Sequence, residues 1–282
     1  ILYCDNLAYI HYIGSEEAWQ TLYDEAENRN GSLNQAEVHF CEYKELIEPT
    51  CQQIGREAGW YCDICDSFFV GGQEIAINPD NHEFEANNGI CCGIYEQPVK
   101  NSDGYYEIHN LGTFVWFAEQ YNNGSLGSSA NAVLTDDVDL SGFNWVPIGK
   151  SSRKYLGIFD GQNHSITGFQ LNITGSGYYG LFGFVTGGST EIKNFSISGN
   201  TTTALTSKVD TWYGLVGQMD GGGLISNVHS SINYTAGDTY YKKFVGGLVG
   251  QTGDINIERS SFSGNIELGE SSVDCVGGIA AY

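Results

Sequence analysis

YYGLFGFV at 178–185, WYGLVGQM at 212–219, FVGGLVGQ at 244–251 and CVGGIAAY at 275–282 are four copies of one phrase. The steps from Gly180 to Gly214, Gly247 and Gly278 are 34, 33 and 31 residues. A fixed period of about 20–50 residues marks a repeat architecture. A second phrase recurs inside each period: EIKNFSISGN at 191–200, LISNVHSSIN at 224–233 and INIERSSFSGN at 255–265. It aligns Ile192 with Ile225 and Ile257, Phe195 with Val228 and Ser260, and Ile197 with Ser230 and Phe262. Alternating apolar and small polar residues bounded by Gly and Asn spell short strands, and no run has helical spacing. One coil of such strands cannot bury its inner face alone, so stacking on neighbours must supply the core. Leu181, Leu215, Leu248 and Ile279 are then expected in one buried ladder. The expected fold is mainly β, a parallel β-helix. A meander or propeller with glycine-rich hairpins competes, but four nearly equal spacings favour the one-dimensional stack.

Gly at a strand corner lets a neighbouring backbone come close. Asn194 and Asn227 follow an inward Ile, where a left-handed residue would re-aim the chain; Arg259 takes that place in the third copy.

GLFG at 180–183 and GLVG at 214–217 and 247–250 resemble the GLUG repeat of secreted and surface proteins. WVPIG at 145–149 and FDGQNHSITGF at 159–169 fit the same pattern. The resemblance covers about residues 105–282 and implies a right-handed β-helix in a secreted or cell-surface context. It does not reach the first hundred residues. It leaves function open, because the repeat occurs in adhesins, in stalks of secreted peptidases and in proteins of unknown role. The last copy departs from the pattern at Ala280 and Ala281.

The chain has 282 residues, 38 of them Gly and 4 Pro, without a collagen-like triplet. Net charge is −22, and residues 1–98 hold 18 Asp and Glu against 3 Lys and Arg. That acidity repels phosphate backbones and anionic lipid, so nucleic-acid binding is disfavoured. No apolar run approaches the ~18 residues of a membrane span, so no membrane insertion is expected. The chain opens on Ile1, consistent with a removed signal peptide, and stops on a repeat phrase, as a piece of a longer protein would.

Cys4, Cys41, Cys51, Cys62, Cys65, Cys91 and Cys92 crowd the first 92 residues, and Cys275 stands apart. Dense cysteine in a small acidic region favours a disulfide framework in an oxidising compartment. Seven is odd, which leaves one thiol free, paired with Cys275, or paired outside the chain. A zinc site from Cys62-x-x-Cys65 with Cys91 and Cys92 is the competing reading; adjacent cysteines are awkward ligands and no His has finger spacing. The expectation is disulfides, with no metal and no cofactor. Sequons at Asn30, Asn123, Asn163, Asn172, Asn194, Asn200 and Asn233 fit a glycosylated surface, although a repeat rich in Asn, Ser and Thr makes sequons by composition.

Three segments follow in order: an acidic cysteine-rich domain at 1–98, a turn-rich linker at 99–104 and the β-helix at 105–282. In the first, Ser15 caps a helix carrying Glu16, Glu17, Trp19, Leu22 and Ala26, and Pro49 ends or kinks any helix from Glu42. In the third, 110–121 reads as an amphipathic helix placed to cover the open end of the first coil. Asp136, Asp137 and Asp139 are the best carboxylate cluster, a candidate for calcium or acid–base work on a polysaccharide. Alternation with Val138 and Leu140 makes them a solvated face instead. Tyr178, Tyr179, Trp212, Tyr213, Tyr240 and Tyr241 precede the GLxG phrase and, if stacked, form a stripe for sugar rings or a neighbouring subunit. No catalytic motif is present.

The expected function is an extracellular structural or interaction protein, a glycosylated subunit of a surface fibre, filament or adhesive stalk. The alternatives are the non-catalytic stalk of a secreted peptidase and a carbohydrate-binding or carbohydrate-cleaving β-helix. Expected partners are a second copy joined head to tail, with Cys275 near the contact, or further repeats of the same chain, and glycans.

Overall fold

The computed structural model describes residues 8–25, 36–203, 209–236, 243–268 and 275–281. It divides into two compact units, Ile1–Glu83 and Phe84–Tyr282.

The first unit is a small mixed sheet. Strand β1 (Tyr9–Ile13) leads into α1 (Glu16–Glu25), where Ser15 Oγ accepts the Ala18 N–H at 3.2 Å, the expected cap. Strands β2 (Glu37–Lys44), β3 (Gly55–Arg56), β4 (Gly59–Cys62), β5 (Ser67–Gly71) and β6 (Glu74–Ile75) follow. The main sheet runs β1-β2-β4-β5, with β1 parallel to β2 and the other pairs antiparallel. Glu42 therefore lies in a strand, and Pro49 has no helix to end. Among the described residues of this unit the buried ones are His39, Cys41, Pro49, Gly55, Gly59 and Cys62. Among these described residues no buried Val, Leu, Ile or Phe forms a core.

The second unit begins with a hairpin of β7 (Ile90–Cys91) and β8 (Ile94–Tyr95), then β9 (Tyr106–Ile108) and α2 (Leu111–Asn123). The division between the units precedes the boundary expected at residue 98, because 84–98 fold onto the start of α2. Asn88 Oδ1 accepts the Leu111 N–H, the Asn88 carbonyl accepts the Gly112 N–H, and Asn110 Nδ2 donates to Glu96 Oε2 at 2.6 Å. A capping box between Asn110 and Thr113 starts α2, and Gly124, at φ 94°, ends it. Phe114 packs on Trp145 and Phe159, so the helix covers the first coil as expected.

The solenoid proper adds β10 (Ala132–Leu134), β11 (Val138–Asp139), β12 (Ile158–Ile173), β13 (Gly177–Tyr179), β14 (Phe182–Thr186), β15 (Glu191–Thr203), β16 (Thr211–Tyr213), β17 (Val216–Asp220) and β18 (Leu224–Ala236). It ends in β19 (Lys243–Gly246), β20 (Val249–Thr252), β21 (Asn256–Glu258), β22 (Ser261–Phe262), β23 (Ile266–Leu268) and β24 (Cys275–Gly277). Three ladders, parallel throughout, run along it: β9-β10-β12-β15-β18-β21, β13-β16-β19-β24 and β14-β17-β20. The fold is a parallel β-solenoid of about seven turns.

The register stacks like on like. Ala132, Phe159, Ile192, Ile225 and Ile257 form one inward ladder. Val138, Ile166, Ile197, Ser230 and Phe262 form another. Leu181, Leu215 and Leu248 are fully buried, one position before the Phe182–Val216–Val249 ladder. Ile279 corrects the expectation in part. It stands in register, its carbonyl accepting the Leu248 N–H at 2.8 Å, yet it is 38% exposed. A ladder residue is buried by the coils on both sides, and among the described residues Ile279 has a coil on one side only.

At the aligned glycines of the first three phrases, Gly180, Gly214 and Gly247, neighbouring coils approach. A Cβ on Gly214 would lie 2.6 Å from the Val216 carbonyl oxygen and 2.8 Å from the Leu248 carbonyl oxygen. The corners are left-handed as expected, with φ of 60° at Asn194, 53° at Asn227 and 46° at Arg259, and Asn163 joins them at 69°. Their amides form a ladder: Asn227 Nδ2 donates to Asn194 Oδ1 at 3.1 Å and Asn163 Oδ1 at 3.2 Å, and Asn194 Nδ2 to Asp160 Oδ1 at 3.0 Å.

Candidate functional site

In the first unit the parallel register of β1 and β2 sets His11 directly opposite His39. Strand β4 ends at Cys62, and the turn to β5 returns Cys65 toward it, with Asp66 left-handed at φ 50°. The Cys65 N–H donates to Cys62 Sγ at 3.4 Å. His11 Nε2 lies 3.3 Å and His39 Nδ1 3.1 Å from Cys65 Sγ, and Cys62 Sγ lies 3.6 Å from His39 Nδ1. All four donor atoms fall within 4.8 Å of one another. His39 and Cys62 are buried, His11 and Cys65 half-buried. Tyr9 stacks on the His39 ring at 5.1 Å, and Phe69 packs against His11 at 4.9 Å.

Burial opposes the Cys62 thiolate, but hydrogen bonds from the backbone of Cys65 and Ile64 and from the thiols of Cys65 and Cys41 bring its pKa below the ordinary thiol value. Burial raises Cys65 and Cys41, and the neighbouring Cys62 sulfur raises both further. The second nitrogen of His39, Nε2, is buried without a hydrogen bond, and the Glu37 carboxylate lies 3.7 Å away.

The disulfide expectation is corrected among the described residues: Cys41, Cys51, Cys62, Cys65, Cys91, Cys92 and Cys275 form no disulfide. Cys91 and Cys92 are adjacent on the β7–β8 hairpin with sulfurs 3.8 Å apart. Cys62 and Cys65 instead share their site with two histidines that lack finger spacing in the sequence. Cys4 lies outside the described residues.

The other sequence candidates have structural employment. Asp137 Oδ1 accepts the Ser165 N–H at 2.7 Å, and Asp139 Oδ1 the Ser141 N–H at 2.9 Å; hydrogen bonds from the backbone and hydroxyl of Ser165, and from the hydroxyl and backbone of Ser141, hold both carboxylates below their usual pKa. Asp136 is exposed, while Val138 and Leu140 point inward. Among the sequons, Asn123, Asn163, Asn172, Asn200 and Asn233 are exposed and Asn194 is half-buried. Asn194 and Asn233 spend their Nδ2 groups in inter-coil bonds, the latter to Asn200 Oδ1 at 3.0 Å. Asn30 lies outside the described residues, as do Tyr240 and Tyr241.

The aromatic residues divide between two faces. Tyr213 and Val245 are buried, and Tyr179 packs against the core. Tyr178, Trp212 and Phe244 stack outward, with ring centroids 4.7 Å and 6.2 Å apart, and Cys275 is next in that ladder. Beside them lies a groove of about 550 Å³, lined by Val146, Pro147, Ser151, Ser176, Tyr178 and Trp212 among others. The Trp212 indole N–H is buried without an acceptor among the described residues.

Among the described residues no helix is long and apolar enough to cross a membrane. No family model matches the chain, and no solved structure matches it. A protein of Evansella cellulosilytica, provisionally named a Gly-rich membrane protein, is 33% identical over 115 residues. That likeness covers 38% of this chain and 13% of the relative, so the chain is similar to one segment of a much longer glycine-rich protein.

Proposed function

We propose that the solenoid is a non-catalytic structural and interaction module of a secreted or cell-surface protein, of the kind its GLxG phrases resemble. The observation that carries this reading is the parallel, like-on-like stacking of the described coils from β9 to β24, with shifts only between Asp160 and His164 and between Ile166 and Phe169. The inward positions go mainly to apolar ladders, the backbone groups bond coil to coil, and the exposed positions carry much of the Asn, Ser and Thr. A rod of that design sets a distance and presents a repeating surface. The partial likeness to a glycine-rich membrane protein supports a surface setting. The test is protease treatment of intact source cells followed by immunodetection. Loss of the protein from unbroken cells supports the reading; full protection, with recovery in the cytosolic fraction, refutes it.

Carbohydrate binding is a second reading, favoured by the outward Tyr178–Trp212–Phe244 stack. Aromatic faces stack on sugar rings. A glycan array with the full chain and a Trp212→Ala variant decides it. Signals lost in the variant support the reading, and an array silent for the full chain removes it. Assembly with a second copy, or with further coils of the same chain, is read by light scattering.

A further inference from the structure

We propose that His11, His39, Cys62 and Cys65 bind one zinc ion tetrahedrally and that this ion holds the first unit folded. Three observations converge on it. The first is geometry. With Zn–N of about 2.0–2.1 Å and Zn–S of about 2.3 Å, a tetrahedron sets each N···S separation at about 3.5 Å. The separations found are 3.1, 3.3 and 3.6 Å, and every donor lies within 4.8 Å of every other. Donors converging on one point suit a single ion. A two-iron cluster with a histidine-bound and a cysteine-bound iron would hold the two donor pairs further apart.

The second is the outer arrangement. The N–H of Cys65 points at Cys62 Sγ, and the Cys41 thiol donates to the His39 carbonyl at 3.5 Å. Glu37 faces the nitrogen of His39 that is not aimed at the cysteines. A carboxylate behind a ligating imidazole fixes its tautomer and orientation, and N–H groups aimed at a thiolate stabilise its charge.

The third is that the described residues of the unit supply no apolar core. Small domains that cannot bury enough apolar surface need disulfides or a metal. Here no described cysteine is disulfide-linked, and Ile13, Leu22, Leu46, Ile47, Ile54 and Val70 are exposed. Two of the six buried residues among those described in this unit are donors of the cluster, and the Cys41 thiol bonds to the carbonyl of one of them, His39. Zinc prefers two imidazoles and two thiolates in tetrahedral array, and it binds only the deprotonated thiols, releasing protons as it folds the site.

The experiment uses the full chain, purified under reducing, chelator-free conditions, with metals measured by mass spectrometry. Cys62→Ser and Cys65→Ser each lose one equivalent of zinc relative to the unsubstituted chain, while Cys275→Ser loses none. Because the variants could misfold for other reasons, the unsubstituted chain is also stripped with chelator and titrated with cobalt(II). Tetrahedral d–d bands and a thiolate-to-cobalt charge-transfer band appear at one equivalent that the Cys62→Ser chain does not take up. Limited proteolysis then cuts residues 1–83 faster in the stripped chain, and zinc restores resistance. Equal zinc content in the Cys62→Ser and unsubstituted chains overturns the proposal. So does iron in place of zinc, or a Cys62–Cys65 disulfide in the zinc-free chain alkylated without reductant.

Discussion

Leu215→Ala and Ile279→Ala remove the same number of carbons from two rungs of one ladder, yet they should differ severalfold in cost. Leu215 is fully buried between Leu181 and Leu248. Its truncation deletes three carbons, about 2.4 kcal/mol at about 0.8 kcal/mol each. The coils on either side are fixed by their hydrogen bonds and cannot close the hole, so a cavity term brings the total to about 3–4 kcal/mol. Ile279 is 38% exposed, so it has already forfeited part of the transfer energy and leaves no closed cavity. Its truncation should cost about 1 kcal/mol. Urea unfolding at fixed zinc, followed by circular dichroism, gives the global numbers. Hydrogen exchange of the peptide spanning 211–220 gives the local one, which matters because repeat arrays need not unfold in one step. Costs within about 1 kcal/mol of each other would show that Leu215 is not enclosed between coils, and the ladder argument would fail.

Three further outcomes follow from the same geometry. Gly214→Ala should destabilise the solenoid by about 2 kcal/mol or more, since the new methyl meets backbone oxygens of two coils, whereas Gly278→Ala, with nothing within 4 Å, should be tolerated; paired thermal melts check this. Asn227→Ala should cost about 2 kcal/mol, from two lost amide bonds and a strained left-handed Ala, and Asn227→Gly should cost less because it keeps the corner at φ 53°; chemical denaturation separates them. Burial pushes the Tyr121 hydroxyl up to about 12, against the Arg153 charge that lowers it. The folded state thus prefers the neutral phenol, so its contribution is complete below the unfolded pKa of about 10 and is lost as pH rises through the folded value. Alkaline unfolding should lag in Tyr121→Phe between those limits, read by circular dichroism against pH.

The sequence made the solenoid legible because its information is local and repeated. Ile192, Ile225 and Ile257 occur at one period, and the same period places Asn194, Asn227 and Arg259 at left-handed corners one step past the inward face. The helix over the first coil was visible from its own spacing. What a period cannot carry is how many neighbours a rung has, which is why Ile279 shares the register of Leu248 but not its burial. Nor can a sequon show that its asparagine amide is already bonded to the next coil, as at Asn194 and Asn233.

The first unit hides its site for the opposite reason. Its donors come from three strands and a turn, and the pair of histidines meets only because β1 and β2 run parallel in one register out of many. Parallel pairing needs a long crossover and leaves no turn signal between partners. The Cys-x-x-Cys phrase showed half of the cluster, and counting cysteines alone led toward disulfides. A better signal lay in the strands themselves. In EVHFCEYK, His39 and Cys41 alternate with Val38 and Phe40, so one side of that strand carries imidazole and thiol together; the structure buries both, while Ile13, Leu46 and Ile47 of the same unit stay exposed. Imidazole at an inward strand position is costly unless something satisfies it. With His39 buried and its neighbour a pair of sulfurs, what replaces an apolar core in this unit is a set of donors facing one point. The solenoid spends its inward positions on apolar ladders; the first unit spends them on ligands.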